Sequence, residues 1–391
     1  MTASPGSSRT AAVVGLLVAI TSALLVAVFL HRPHGRFADS GAAELPDSLR
    51  VPIESRFRVA WVAAGPSKPR TDFSGIVVPT GPACVDSVQR GRHFEFWLAD
   101  DKSNRIESMI IRARPAGEGS PRTLLLSPMA ILNPRRLPFG DDMEDLARLT
   151  GPCNRPVWVA GASEAGPDGE SVSWLHLFEE RDGRLTLRWT GRGSPPGETV
   201  GNNGFEGVAM MRLGADTLVV LAFKERPDPT YVRSFLFTEK QGTAGPIVAA
   251  PAAGTDSVSL TPIEPIRMDR IDGLLTQAGA CFGPSGDLYV LDRLARRIAV
   301  VDRKGIEAAV RDSSENRVSV REWLDFDAIE STLENKRDPD SPLSPFGTAE
   351  GIAFGPDGTL YLLADNNDAG PSTVVTLVPL AFRDRLPQVN E

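Results

Sequence analysis

The sequence contains little histidine, little cysteine and no dense run of basic residues. Its four histidines, two of them near the N-terminus at His31 and His34, are too few for a histidine-rich metal site. The stretch "GASEAG" from residue 161 lacks the second glycine of a G-x-S-x-G nucleophile elbow. No glycine loop of the Walker or Rossmann type is present either. These absences exclude the common serine-hydrolase and nucleotide-binding signatures.

The charge balance argues against a nucleic-acid partner. The chain has 50 acidic and 42 basic residues in 391, with a net charge of -8. An apolar content of 41% is that of a folded protein. The 36 glycines and 32 prolines show no period of three, which predicts many short strands and turns.

The clearest single feature is an apolar segment near the N-terminus. Residues 11–30 are twenty consecutive residues without a charge, enough for a helix to cross a bilayer. We predict a tail at 1–10, a transmembrane anchor at 11–30 and a solvated tether at 31–53. A cleaved signal peptide is the alternative, with "DSGAAEL" as the cleavage region. Because such segments usually direct export, we expect the rest of the chain to be extracytoplasmic, in the periplasm or at the cell surface.

An internal repeat fills the rest of the chain. "AEGIAFGPDGTLYLL" at 349 resembles "QAGACFGPSGDLYVL" at 277 and "FEGVAMMRLGADTLVVL" at 205, with weaker copies at 143 and 73. We take the residue before the Gly or Asp of each copy as its marker. The markers are Ser74, Glu144, Glu206, Ala278 and Glu350, with spacings of 70, 62, 72 and 72 residues. The repeat predicts five similar units.

Each unit contains several short strands joined by Gly/Pro/Asp turns. Four strands per unit are typical of a β-propeller blade, so we predict an all-β, five-bladed β-propeller over 54–391. Six blades stay possible if one long unit hides a further sheet. Residues 57–66 would close the last blade from the other end of the chain. A single helix is predicted at 325–336, with Asp325 as its N-cap.

These motifs resemble a known family. "AEGIAFGPDGTLYLLADNN", "DFSGI" at 72, "FWLADDKSNRI" at 96 and "MEDLA" at 143 are similar to the phytase-like, esterase-like propeller domains of secreted bacterial proteins and to SdiA-regulated propellers. The resemblance covers 56–391 and implies the propeller fold. Ser74 and Ala278 depart from the pattern, which prefers glutamate at the marker.

The acidic residues of the repeat suggest a calcium site. In a blade, the start of the first strand lies beside the end of the second, so marker glutamates and strand-closing acids share one face. The closing positions include Asp100, Asp101, Glu164, Glu225, Asp292 and Asp365. Such oxygen ligands suit Ca²⁺. The predicted ligands are Glu144, Glu206, Glu350, Asp365, Asn366 and Asp100. Alternatively, each of these side chains caps backbone groups or makes a turn.

Basic residues follow the same strands and suggest an anionic ligand. The candidates for binding phosphate are Lys102, Arg105, Lys224, Arg226 and Arg293. The alternative is ordinary solvated loop charge. One hypothesis is therefore a membrane-anchored, Ca²⁺-dependent hydrolase of phosphate or carboxylic esters, with metal-bound water as the nucleophile. The other is a non-catalytic propeller that binds a small molecule or a protein at its face, with calcium as a structural ion. The residues that would carry out catalysis are not identified by the sequence.

The three cysteines allow one disulfide. Cys84 and Cys153 follow their markers by 10 and 9 residues, which predicts that they lie in equivalent loops of adjacent blades. We predict that they form a disulfide and that Cys281 stays a free, buried thiol. Three unrelated reduced cysteines are the alternative.

Overall fold

The structure is a computed structural model. It describes residues 49–64, 73–79, 93–100, 105–112, 122–128, 131–132, 142–149, 157–164, 173–181, 184–193, 204–215, 217–224, 232–238, 276–293, 295–312, 318–326, 349–355, 357–364 and 373–380. The predicted anchor at 11–30 lies outside these residues. Within the described residues, no helix is long and apolar enough to cross a membrane.

Five antiparallel sheets follow one another along the chain, as the repeat predicts. Blade 1 contains β3 (Phe73–Val77), β4 (His93–Asp100), β5 (Arg105–Arg112) and β6 (Arg122–Pro128). Blade 2 contains β8 (Asp142–Leu149), β9 (Val157–Glu164), β10 (Ser173–Arg181) and β11 (Arg184–Arg192), with the short β7 (Ile131–Leu132) parallel to β11 at its outer edge. Blade 3 has three described strands, β12 (Phe205–Leu213), β13 (Thr217–Lys224) and β14 (Val232–Thr238).

The last two blades both include a strand from the N-terminal side of the chain. Blade 4 contains β15 (Gly279–Phe282), β16 (Leu288–Asp292), β17 (Arg297–Val301) and β18 (Val320–Asp325), and β1 (Arg50–Pro52) pairs with β18. Blade 5 contains β19 (Ala349–Phe354), β20 (Leu360–Ala364) and β21 (Thr373–Pro379), and β2 (Phe57–Ala64) pairs with β21 as its outer strand. The predicted closure by residues 57–66 is thus confirmed for β2. The first strand, β1, lies inside the segment predicted as a tether.

The ring is closed by apolar packing between every pair of neighbouring blades. Five buried clusters each combine residues of two adjacent blades, and one of them joins blade 5 to blade 1 through Leu363 and Phe96. The innermost strands β3, β8, β12, β15 and β19 also contact one another around the ring. Because each blade buries both of its faces, its inner strands are apolar almost throughout, and the five-bladed prediction is confirmed.

Four of the five marker residues lie in β-bulges. Register shifts fall at Phe73/Ile76, Met143/Asp145, Phe205/Gly207 and Ala349/Gly351, so that four of the five innermost strands bulge at or beside the marker. A bulge inserts an extra residue into one strand and redirects its side chain. The repeated glutamates are therefore placed by backbone geometry that recurs from blade to blade.

One helix, α1 (Arg303–Arg311), follows β17 and packs on the blade 3–blade 4 cluster through Ile306, Ala309 and Val310. The sequence analysis did not predict it. The helix that was predicted at 325–336 falls almost wholly outside the described residues, and Asp325 itself is the last residue of β18.

Candidate functional site

The five innermost strands meet most closely at the position after each marker. We call these residues, Gly75, Asp145, Gly207, Gly279 and Gly351, the waist. A Cβ atom added to Gly279 would lie 2.4 Å from the carbonyl oxygen of Glu350. One added to Gly351 would lie 2.7 Å from the carbonyl oxygen of Ser74, and one added to Gly75 would lie 2.5 Å from Cα of Asp145. Gly75, Gly279 and Gly351 are therefore required by the close approach of neighbouring backbones, whereas Gly207 has more space.

Asp145 is the one waist residue that has a side chain. It is 1% exposed, and its Oδ2 accepts a hydrogen bond from the backbone N–H of Val208 at 2.8 Å. Burial raises the pKa of Asp145 well above its usual value, and the charge of Glu206 adds to this. Backbone hydrogen bonds from Val208, Leu146 and Ala280 act in the opposite direction. The carboxyl group thus links blades 2, 3 and 4 at the centre of the ring.

Three glutamates come together where blade 2 meets blade 3. We call Glu144, Glu164 and Glu206 the acid triad. One carboxylate oxygen of each lies within 4.8 Å of those of the other two. Glu144 is 8% exposed and Glu164 is 4% exposed. Since Ca²⁺ binds oxygens at about 2.3–2.6 Å, oxygens on opposite sides of one ion lie about 5 Å apart. The triad therefore has a spacing that one calcium ion fits.

The triad is positioned by both blades. Glu144 and Glu206 stand at the bulges that begin β8 and β12, and Glu164 is the last residue of β9. Gly204, just before β12, leaves the space that Glu164 occupies, since a Cβ there would lie 1.6 Å from Glu164 Oε1. The Phe205 N–H donates to Ser173 Oγ at 3.1 Å and ties blade 3 to blade 2. Because Glu164 lies against blade 3, the triad depends on the packing of the two blades.

At the junction between blades 4 and 5, the marker glutamate has a basic partner. Glu350, the marker of blade 5, forms an ion pair with Arg293, which follows β16. The buried Asp292 pairs with Arg297 at 3.3 Å and also accepts hydrogen bonds from Thr276. The marker of blade 4 is Ala278, which supplies no carboxylate. This junction therefore neutralises its acids with arginine.

The other predicted site residues are distributed as follows. Asp100 is buried at the end of β4, Lys224 is buried at the end of β13, and Arg105 is exposed at the start of β5. The structure does not place Asp100 in the acid triad. Several predicted residues lie outside the described part of the chain, and for them the predictions stand as made: Lys102, Arg226, Asp365, Asn366, Cys84 and Cys153. Cys281 has a free thiol in β15, but the residue is half-buried rather than fully buried as predicted.

Two features of the site were missed by the sequence analysis. Glu164 was recognised as a strand-closing acid but was not included among the ligands. Asp145 was interpreted only as a variant of the glycine that follows the marker in the other four units. A carboxylate in place of that glycine in one unit alone was a signal that could have marked it as a candidate site residue.

A serine–histidine contact lies inside blade 2. Ser163 Oγ is 2.7 Å from His176 Nε2, and His176 Nδ1 is 2.9 Å from Thr190 Oγ1. Burial lowers the pKa of His176 to about 3, so the ring is neutral at physiological pH. Ser163 and His176 are both at most 2% exposed, and the third partner is a hydroxyl group rather than a carboxylate. The arrangement therefore satisfies polar groups in the core rather than presenting a nucleophile to a substrate.

Comparisons with known proteins show similar solved structures, but no protein-family model and no curated protein matches the chain. Aldose sugar dehydrogenase from Escherichia coli is 12% identical with a TM-score of 0.35, over 81% of this chain and 99% of that one. A luciferin-regenerating enzyme is 12% identical with a TM-score of 0.37, over 79% and 78%. A glycoside hydrolase of the GH130 family is 12% identical with a TM-score of 0.41, over 86% and 92%. At these values the likenesses carry no argument about ligand or reaction, and the propeller assignment rests on the strands described above.

Proposed function

We propose that this chain is a membrane-anchored, extracytoplasmic β-propeller related to the phytase-like domains, and that it binds a divalent cation at the acid triad, Ca²⁺ first among them. We also propose that it hydrolyses phosphate or carboxylic esters. The anchor and the location rest on residues 11–30 and are proposals from sequence. The single observation that carries the cation site is the convergence of Glu144, Glu164 and Glu206 within 4.8 Å.

The chemistry of the triad is suited to a cation. Three carboxylates brought this close repel one another unless a positive charge lies between or beside them. Two of the three are buried, which strengthens that repulsion. Asp145 is a second acidic group beside this cluster, and its Oδ1 has no hydrogen-bond partner among the described residues. A hard divalent cation with oxygen ligands would offset the repulsion.

The surroundings of the triad are suited to an anionic ligand. A bound divalent cation supplies charge stabilisation to an ester oxygen. Lys224 at the end of β13 lies on the same face of the propeller, as does Arg293, the residue after β16. Lys224 therefore remains a candidate phosphate-binding residue. Arg293 pairs with Glu350, so its guanidinium group is already engaged.

A non-catalytic propeller is the second candidate function. The described residues place no exposed histidine or serine beside the triad, and the Ser163–His176 pair is buried. A propeller that binds a small molecule or a protein through the cation, without turnover, uses the same triad.

One set of experiments separates the two candidates. The full chain in detergent is analysed for bound metal, and hydrolysis of p-nitrophenyl phosphate and p-nitrophenyl butyrate is measured with Ca²⁺ and with EGTA. A hydrolase shows turnover that EGTA abolishes and that Glu206→Gln removes. Glu54→Gln, an exposed glutamate far along the chain from the triad, is the matched control and is expected to behave as the wild type.

The outcomes are distinguishable. Calcium binding without turnover of either ester supports the non-catalytic propeller. Absence of calcium binding by the wild-type chain would remove the cation site and, with it, both forms of the proposal.

A further inference from the structure

A cavity lies on the other side of the waist from the acid triad. Its volume is about 760 Å³, and all five innermost strands contribute to its wall. The lining begins just beyond the waist, at Ile76, Leu146, Ala209, Cys281 and Ile352. Its wall is about equally polar and apolar, and at the far end of the strands it includes the apolar rings of Phe282 and Phe354. This volume falls in the range of about 300–1,000 Å³ that is usual for pockets holding small organic molecules.

The charged residues that line the cavity are all arginines. Arg148 stands near the end of β8, Arg212 near the end of β12, and Arg303 at the start of α1. No aspartate or glutamate of the described residues lines it. Arginines and aromatic rings gathered at the end distant from the waist are suited to a molecule with an apolar body and one anionic group.

The arginines are held in place by the surrounding structure. Arg303 Nη2 donates to the carbonyl oxygen of Arg212 at 2.9 Å, and its Nε donates to Glu307 at 2.7 Å. Arg148 pairs with Glu180 at 2.8 Å and lies over the ring of Trp97, with 5% of its side chain exposed, so its guanidinium group is engaged outside the cavity. Neither Glu180 nor Glu307 lines the cavity. Among the described residues, no carboxylate in the cavity wall therefore lies between a ligand anion and Arg212 or Arg303.

The cavity is separate from the acid triad because the waist lies between them. The glycines of the waist bring neighbouring backbones into contact, and the side chain of Asp145 occupies the centre. Occupation of the cavity therefore does not require the cation of the proposed function, and the two sites can be tested independently.

We infer that the cavity is a second binding site, which takes a small aromatic or aliphatic anion with its carboxylate or phosphoryl group against Arg212 and Arg303. The apolar body of such a ligand would fill the channel towards Cys281. A neutral molecule of the same shape gains the apolar contacts but not the charge-assisted hydrogen bonds, so the site discriminates by charge.

The test uses calorimetry on the full chain in detergent, with EGTA present throughout to suppress the cation site. The probes are 2-naphthoate and naphthalene-2-phosphonate, which distinguish a carboxylate from a phosphoryl ligand, and neutral 2-naphthamide. At least one of the two anions is expected to bind, and to bind about tenfold or more tightly than the amide. Arg303→Gln should weaken anion binding about tenfold. Arg311→Gln is the matched control, because Arg311 also pairs with Glu307 but does not line the cavity.

A second readout locates the ligand. Cys281 lines the cavity, so a bound anion should slow its alkylation by N-ethylmaleimide, measured on the Cys281 peptide by mass spectrometry. Arg212→Gln replaces Arg303→Gln if the latter does not fold. The inference is overturned if neither anion binds, if the amide binds equally well, if the arginine variant behaves like the control, or if Cys281 is not protected. Binding that disappears in Glu206→Gln would also overturn it, by placing the ligand at the triad.

Discussion

Glu206 and Glu350 occupy the same position of the repeat, yet the structure gives them different surroundings. Glu206 lies with Glu144 and Glu164, whereas Glu350 lies against Arg293. The difference comes from the residues that close the second strands: blade 2 ends its second strand with Glu164, and blade 4 follows its own with Arg293. A repeated residue thus acquires its role from the neighbouring blade. The blade 2–blade 3 junction brings three carboxylates together, where we propose a cation site, and the blade 4–blade 5 junction pairs its glutamate with an arginine.

The largest expected effect on stability comes from a substitution at the blade 4–blade 5 junction, which leaves the acid triad unchanged. Gly279→Ala would place a Cβ 2.4 Å from the backbone oxygen of Glu350, so the two backbones must separate. We expect the free energy of unfolding to fall by about 3 kcal/mol. Gly207→Ala is the control, because the nearest atoms to its Cβ lie at 3.3 and 3.4 Å. Chemical denaturation compares the two, and equal losses would show that the waist is not tightest at Gly279.

The next effect concerns the acid triad. Saturating Ca²⁺ at about a hundred times its dissociation constant should stabilise the wild-type chain by about 2.7 kcal/mol, seen as a rise in melting temperature. Gly204→Ala should lose most of that rise, because its Cβ displaces Glu164 while leaving all three carboxylates in the chain. Gly207→Ala should keep it. A full calcium response in Gly204→Ala would mean that Glu164 does not bind the ion.

The buried histidine of blade 2 makes the free energy of unfolding depend on pH. His176 has a pKa of about 3 in the folded protein, below the unfolded value near 6.5. Its contribution to stability is therefore complete above about pH 6.5 and is lost as the pH falls towards 3. His176→Gln should be destabilised at pH 7, and the difference from wild type should shrink by about 1.4 kcal/mol per pH unit below about 6.5. Denaturant titrations at several pH values check this, and a difference that does not change with pH would contradict it.

The smallest effect belongs to the Arg293–Glu350 pair, whose side chains are 16% and 10% exposed. Glu350→Gln, Arg293→Gln and the double variant form a thermodynamic cycle measured by denaturation. We expect a coupling energy of about 1 kcal/mol. A coupling near zero would show that the pair contributes little and that Glu350 can be released to another partner.

Much of the fold could be predicted because the repeat carries it. The five markers stand at the starts of the innermost strands or directly beside them, and β2 closes blade 5 as the period required. The helix α1 was missed although Ile306, Ala309 and Val310 lie at helical spacing, because "RKGIEAAVR" is short and includes a glycine.

The candidate site was only partly predictable. Repeat position identified Glu144 and Glu206, but it could not separate Glu206 from Glu350, since that distinction depends on contacts between blades. Arg293 was interpreted as a ligand-binding cation because its partner, 57 residues away, is not visible in the sequence. The arginine-lined cavity was missed for the same reason: Arg148, Arg212 and Arg303 come from three separate segments.

Calorimetric titration of Ca²⁺ into metal-free full-length protein, compared with Glu206→Gln and Glu350→Gln, tests the central comparison most directly. Glu206→Gln removes a carboxylate from the triad, and Glu350→Gln removes one that is paired with Arg293. The account predicts one ion per chain at the triad in the wild type, loss of that ion in Glu206→Gln and its retention in Glu350→Gln. Retention of the ion in Glu206→Gln together with its loss in Glu350→Gln would contradict the account.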